Sequence, residues 1–308
     1  MKHNKKKPLI TWYIMNFIAH IYFNIEGLLN YPFLKRRFLR KNAYPLNLYN
    51  PRTHNERIQY RKIFDRLEVH KQISDKIYAR KFVDHILGSG SAKKLMVPHL
   101  AIVSRFSQLN PELNQQDIII KASHGSGWNI KVKAGSKQDW KIAKWRSLGW
   151  LSRVHGVRSL EWAYMDLTPK LLVEKLLPEN KKQPLDFKIY CYNGHIGWYM
   201  WEDNTGVVPK WTIFDKNYQQ SGDNSNHIQF IAPIDFKTMQ TIAKKLSKNF
   251  AMLRVDFLIQ EKRWYLGELT LYDASGMSKY DSWEDDFYAG EFWGTDIKSI
   301  LMSGKLEA

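Results

Sequence analysis

The sequence predicts an α+β protein whose strands come mostly as hairpins, on three observations. The runs FKIYCY (187–192) and IGWYMW are joined by Asn193-Gly194, the strongest short hairpin signal. MLRVDFLI (252–259) and WYLGELT (264–270) form a second pair across the polar turn QEKR. Apolar residues three and four apart recur over 51–88 and 236–250, the spacing of amphipathic helices.

A chain of 308 residues, 44% apolar and 14% aromatic, can bury a sizeable core, which argues against disorder or repeats. Cys191 is the single cysteine, so no intrachain disulfide forms; that suits a reducing, cytoplasmic compartment. There is no HExxH among the ten histidines, and one cysteine cannot build a thiolate zinc site. The formal charge of +17 points to an anionic partner: nucleic acid, an anionic membrane, or a phosphorylated or uronic-acid substrate.

The N-terminal fifty residues carry nine Lys/Arg against one acid, Glu26. Between the basic clusters Lys5-Lys6-Lys7 and Lys35-Arg36-Arg37 lies a stretch with no formal charge from Pro8 to Ile25. Asn16, His20 and Asn24 recur every four residues and so share one stripe of a helix. This helix has three possible placements: docked on the protein, lying in a membrane surface, or spanning it. Residues 1–41 are thus a candidate contact for an anionic membrane, peripherally at its inner face, since no small-residue cleavage site for export comes after them.

Further along, Ser74 is expected to cap a helix beginning at Asp75. Short strands are expected at LMVP and LAIV around Pro98, at 118–121, at 129–132 and over 170–177. Ser136 is expected to open a helix over 136–155. No linker is long or Gly/Ser-rich enough to mark a clean domain boundary.

The segment IIIKASHGSGWNIKV places Lys121 at the end of a buried strand, before Gly125-Ser126-Gly127 and a second strand. It is neither a Walker A loop, lacking GxxxxGK[ST], nor a dinucleotide fingerprint, lacking the third glycine, nor a GxSxG elbow. That leaves strand, glycine loop, strand. Its backbone N–H groups can form an anion-binding concavity, with Lys121 as a point charge; a plain hairpin with a surface lysine is the alternative. In MLRVDFLIQEKRWYLGELT, Arg254 and Asp256 are two apart, as are Glu268 and Thr270, so each pair projects from one face of its strand. Two carboxylates and an arginine on one sheet face suit Mg²⁺ beside a transferring phosphate; a solvated cross-strand ion pair is the alternative.

The order of these motifs resembles the ATP-grasp carboxylate–amine ligases such as D-alanine–D-alanine ligase. It is more similar still to the ATP-grasp family linked to teichuronopeptide and exopolysaccharide gene clusters. The residues that carry the likeness are Asn55-Glu56-Arg57, Ser74-Asp75-Lys76, Lys121 to Asn129, Val173-Glu174-Lys175, Asp186 to Gly194, Arg254 to Phe257 and Gly267 to Gly276. The resemblance runs from about residue 50 to the C-terminus.

It implies an ATP-grasp fold with two α+β lobes clamping a nucleotide. Residues 1–50 would be a basic, aromatic helical extension and 51–117 a helical and small-strand region. Residues 118–178 would be the lid lobe and 179–308 the core lobe with the metal site. It also implies ATP and Mg²⁺ as cofactors. Lys76, Lys121 and the loop His124, Gly125, Ser126 and Gly127 would meet the phosphates. Glu174, Lys175 and Leu177 would hold adenine, and Asp186 the ribose, with Lys188 nearby. Asp256, Glu268 and Thr270 would ligate metal, while Arg254 and Lys121 would stabilise the transition state. Thr270 stands where the ligases usually carry Asn, and Asp273-Ala274 where the family commonly has Pro-Gly. The implied reaction is amide formation through an acyl phosphate, joining an amine or amino acid to an acidic saccharide or other carboxylate. Trp145, Trp150, Trp162 and Trp201 would either stack on sugar rings or pack in the core. Two other readings stand beside it: a catalytically reduced nucleotide-binding scaffold, and a basic nucleic-acid-binding protein, which the Arg/Asp/Glu face disfavours.

Overall fold

The computed structural model describes residues 7–177, 185–203, 210–221, 229–260 and 263–294. Lys2, Lys5 and Lys6 of the basic arm, and Glu261 and Lys262 of the QEKR turn, lie outside them. In chain order the helices are α1 Ile10–Leu28, α2 Pro32–Asn42, α3 His54–Phe64, α4 Glu68–Ser74, α5 Lys76–Leu87, α6 Ser91–Leu95, α7 Lys137–Leu151, α8 Phe236–Ser247 and α9 Trp283–Glu291. The strands are β1 His99–Val103, β2 Ile118–Ala122, β3 Asn129–Val132, β4 Leu171–Lys175, β5 Leu185–Tyr192, β6 His195–Asp203, β7 Lys210–Asp215, β8 Gln220–Ser221, β9 Leu253–Gln260 and β10 Arg263–Thr270.

The chain divides into two compact units: residues 1–34, 66–80 and 97–177 form one, and residues 35–65, 81–96 and 178–308 the other. In the first, an antiparallel sheet of order β1-β4-β2-β3 is covered on one face by α7. Alternation in β2 buries Ile118, Ile120 and Ala122. Ile118 and Ile120 join Val132, Leu171, Val173 and Ala143 and Leu151 of α7 in one apolar cluster. The Ser136 hydroxyl accepts from Asp139 N, capping α7 as expected.

In the second unit, six antiparallel strands run β10-β9-β5-β6-β7-β8. The Asn193-Gly194 turn joins β5 to β6, and both residues adopt positive φ, 49° and 79°. α8 packs on β5, β6 and β9 through Met239, Ile242, Ala243 and Leu246. Beneath it, Cys191 is buried and its thiol is pushed up to about 12, chiefly by that burial.

Local expectations are corrected in two places. Ser74 ends α4 rather than capping α5. The cap is Asp75, whose Oδ1 accepts from Ile77 N at 2.8 Å and Tyr78 N at 3.1 Å. Of the two strands around Pro98 only His99–Val103 forms; Met96 makes a single bridge to Leu266. Proline cannot donate to a ladder, so pairing resumes only beyond it. Of the tryptophans singled out above, Trp150 packs against the α7 cluster and Trp162 lies under the Lys71 ammonium at 4.4 Å. Trp201 packs on Phe187, and Trp145 remains exposed.

Candidate functional site

In the first unit the glycine loop is anchored at its base. Ala122 N donates to Trp128 O at 2.8 Å, Lys76 N donates to Ser123 O at 2.9 Å, and the Ser123 hydroxyl donates to Asp75 Oδ2 at 2.9 Å. Lys76 reaches over and donates from Nζ to Gly125 O at 2.6 Å. The two glycines serve different ends. A Cβ on Gly125 would lie 2.7 Å from the Trp128 ring, whereas Gly127 has open space but a φ of +69°. Ser126 and Gly127 form the exposed tip. His124 turns inward: its ring is buried, its Nε2 lies 3.0 Å from Trp150 O at the end of α7, and burial pulls its pKa down to about 4. Its neutral ring therefore anchors the loop, while the tip presents backbone.

Lys121 and Glu174 lie diagonally on the sheet face opposite α7, because Glu174 is the register partner of Ile119, two residues from Lys121. Lys121 Nζ stands 2.6 Å from Glu174 Oε2, and Arg80 stands 2.5 Å from Oε1. Burial works against ionisation of Glu174, but Lys121 and then Arg80 outweigh it and hold the carboxyl below its usual range. Beyond β4 the chain is fixed by Lys175 N donating to Pro98 O and Leu176 N to Asp117 O, and it runs on through Leu177. Arg80 lies outside the sequence motifs. Its one local signal is its spacing, four residues after Lys76 and hence on the same helical face.

In the second unit the register gathers the remaining candidates on one face of the large sheet. Lys188, Asp256 and Glu268 are direct partners across β5, β9 and β10. Tyr190, Arg254 and Thr270 form the next row, and Asp186, two residues before Lys188, projects on the same side. Arg254 binds Asp256 bidentately, Nε to Oδ1 and Nη2 to Oδ2, both at 2.7 Å. It also bonds Asp273 through Nη1 and Thr270 Oγ1 at 3.2 Å. Tyr190 donates to Asp273 Oδ2 at 3.0 Å, and Lys188 pairs with Glu202. Burial lifts the Asp256 carboxyl above its ordinary range against the pull of Arg254 and Lys188, and facing Glu268 adds to the rise. For Arg254, burial is outweighed by Asp256 and Asp273, so the guanidinium stays charged.

No sequence motif marks Asp273 and Tyr190 as partners of Arg254. Asp273 belongs to a turn, 273–276, in which Ala274, Ser275 and Gly276 all have positive φ. α3 holds that turn in place: Gln59 Nε2 donates to Ser275 O and Gly276 O, and Lys62 Nζ donates to Ser275 O at 2.8 Å. A long-range contact of this kind leaves no local sequence signal.

The sequence profile of the family described as TupA-like ATPgrasp matches residues 56–293. The chain belongs to the TupA-like ATP-grasp family. The α+β architecture is the ATP-grasp fold, as the motif order implied. No curated protein matches it. Similar solved structures include D-alanine–D-alanine ligase from Bacillus anthracis complexed with ATP, at 13% identity and TM-score 0.43, covering 76% of this chain and 66% of that one. A second is the ATP-grasp ligase PsnB complexed with a phosphomimetic variant of its minimal precursor, Mg and ADP (10%, TM-score 0.39, 75% and 58%). A third is D-alanine–D-alanine ligase from Helicobacter pylori (14%, TM-score 0.39, 75% and 58%). The chain thus spans under two thirds of the length of PsnB and of the Helicobacter enzyme.

The ATP-grasp donor set fits Mg²⁺. Asp256, Glu268 and Thr270 offer only oxygen, and each Asp256 oxygen keeps a second lone pair after accepting from Arg254. Two facing carboxylates, one with a raised pKa, form a pair that a dication would relieve. Among the described residues no group of three His, Cys, Asp or Glu converges. Two carboxylates with phosphates completing the shell is the usual pattern for Mg²⁺.

Proposed function

We propose that the chain is an ADP-forming ligase that activates a carboxylate with ATP and joins it to an amine, the carboxylate belonging to an acidic saccharide or its precursor. The observation that carries this reading is the sheet face on which Lys188, Asp256 and Glu268 form one row and Arg254 the next.

In this reading a carboxylate oxygen attacks the γ-phosphorus, the bond to the β-phosphate oxygen breaks, and ADP leaves. The amine nitrogen then attacks the acyl carbon, phosphate departs, and the nitrogen loses a proton. The chain's own work is positioning and charge neutralisation. The backbone of the 125–127 tip, Lys76 and Lys121 receive phosphate oxygens. Asp256 and Glu268 hold Mg²⁺, which when bound spreads the phosphate charge. Arg254, fixed by Asp256 and Asp273, presents a cation that needs no reorganisation. Glu174 holds Lys121 beside the adenine-binding segment through Leu177, and Asp186 takes the ribose.

A cavity of about 490 Å³ in the second unit supports the amine half of the reaction. Trp198 and Trp211 wall it, and Asp215, Asp281 and Asp285 outnumber Lys279 in its lining. Aromatic faces and excess negative charge suit an amine-bearing molecule better than an anionic sugar. Trp198 stacks on Tyr190, which bonds Asp273, so the cavity wall adjoins the Arg254 cluster.

The test is ADP release with Mg·ATP over a matrix of uronic acids and amino acids, beside the Asp256→Asn, Glu268→Gln double variant. Turnover that needs both a carboxylate and an amine and vanishes in the variant supports the reading. A nucleotide-induced thermal shift with no ADP under any pair would turn it toward a scaffold, and no shift at all would remove the nucleotide.

A further inference from the structure

α1 is docked through Trp12, Ala19, Phe23 and Glu26, and the polar stripe borders that face, with Asn16 and His20 on Asp166 and Asn24 exposed. Asn16 Nδ2 donates to Asp166 Oδ1 at 2.8 Å, Asp166 N donates to Asn16 Oδ1 at 3.2 Å, and His20 Nε2 lies 2.8 Å from Asp166 Oδ1. Lys71 completes the cluster, 3.1 Å from Asp166 Oδ2. Beside this stripe Trp12, Ala19 and Phe23 are buried. The outer face is apolar. Ile10, Ile14, Phe17, Ile21, Ile25 and Leu28 succeed one another at intervals of three and four residues, all exposed, with Phe17 at 67% and Leu28 at 86%. A helix facing water has the opposite arrangement, and exposed apolar surface of this continuity marks an interaction site.

The next helix in the chain, α2, is strongly basic. Glu26 accepts from Phe33 N and Leu34 N at the start of α2, turning the chain directly into Lys35, Arg36, Arg37, Arg40 and Lys41. No acid occurs between Glu26 and residue 50. A second copy of this chain would bring two such like-charged stretches together, whereas an anionic headgroup layer complements them. Among the described residues no helix is long and apolar enough to cross a membrane. The geometry is that of a helix lying in the interface plane, with tyrosine (Tyr13) among its exposed residues.

We propose that the outer face of α1 inserts into the interfacial layer of an anionic lipid bilayer, with the cations of α2 on the headgroups. The two halves act together: apolar burial holds the helix, and charge selects the leaflet.

The experiment is flotation of the full chain with phosphatidylcholine vesicles, with and without about 30 mol % phosphatidylglycerol, in low and high salt. The expected result is at least about a tenfold preference for the anionic vesicles. Two variants separate the contributions. Phe17→Asn with Ile21→Asn, both at exposed positions, should abolish flotation while the circular dichroism and melting midpoint stay unchanged. Arg36→Gln with Arg40→Gln and Lys41→Gln should remove only the anionic preference. Failure to float with either vesicle overturns the proposal, as does flotation that survives the Phe17/Ile21 pair. A dimer in sedimentation that the same pair dissociates would assign the face to a second copy instead. Nucleic-acid binding with no vesicle binding would assign the charge elsewhere.

Discussion

Lys121 Nζ lies 2.6 Å from Glu174 Oε2 on a shared sheet face, so the two side chains form one electrostatic unit. Glu174 is buried between half-buried Lys121 and buried Arg80, so removing the anion strands two cations. Glu174→Gln should destabilise the protein by about 3 kcal/mol at neutral pH, measured by urea unfolding. The folded pKa of Glu174 is lowered, so its contribution is complete above the ordinary value of 4.5 and is lost as pH falls through the lowered one. The variant should lack that acid-side loss; an unchanged acid profile would remove the pair from the stability account.

Histidines set a second, higher pH window. His54 and His124 are both buried, and desolvation lowers each to about 4 from 6.5. The unfolded chain takes up protons first, so stability is full above 6.5 and falls between 6.5 and 4, by up to about 1.4 kcal/mol per pH unit for each histidine. His124→Asn should roughly halve the slope in that window. A melting midpoint flat from pH 7 to 5 would contradict this.

The proposed metal pair, Asp256 and Glu268, makes the sharpest functional prediction. Asp256→Asn or Glu268→Gln should reduce ADP formation at least about 100-fold. Either change should also erase the magnesium-dependent part of the nucleotide thermal shift, about 2.7 kcal/mol at a hundredfold excess over Kd. A shift that persists in both would place the metal elsewhere.

Arg254→Lys tests the fork. Lysine keeps the charge but cannot hold Asp256 bidentately while reaching Asp273 and Thr270. We expect kcat to fall at least about tenfold more than KM for ATP changes; equal changes would limit Arg254 to ground-state binding.

The loop and the cavity give paired controls. Gly125→Ala meets the Trp128 ring and should weaken nucleotide binding, whereas Gly127→Ala faces open space and should cost about 1 kcal/mol for its left-handed backbone. Trp211→Ala should raise KM for the amine several-fold and leave KM for ATP unchanged; the reverse pattern would detach the cavity from the amine.

Much of this molecule arises from local chemistry. The Asn-Gly hairpin, the Ser136 cap, the apolar runs of β2, β9 and β10 and the motif order each rest on residues within a few positions of one another. Short-range sterics and burial periodicity decide such features, so the α+β class, the family and the pairing of Asp256 with Glu268 on adjacent strands were legible. The sequence by itself also determined that the N-terminal helix has one polar stripe and basic flanks. Only the tertiary structure decided what Asn16 and His20 of that stripe meet, because Asp166 lies some 150 residues away. The same holds for Arg80 with Glu174 and for Asp273 with Arg254. Each is an ion pair between segments distant in sequence, and no local rule specifies where the folded chain will bring a charge to rest.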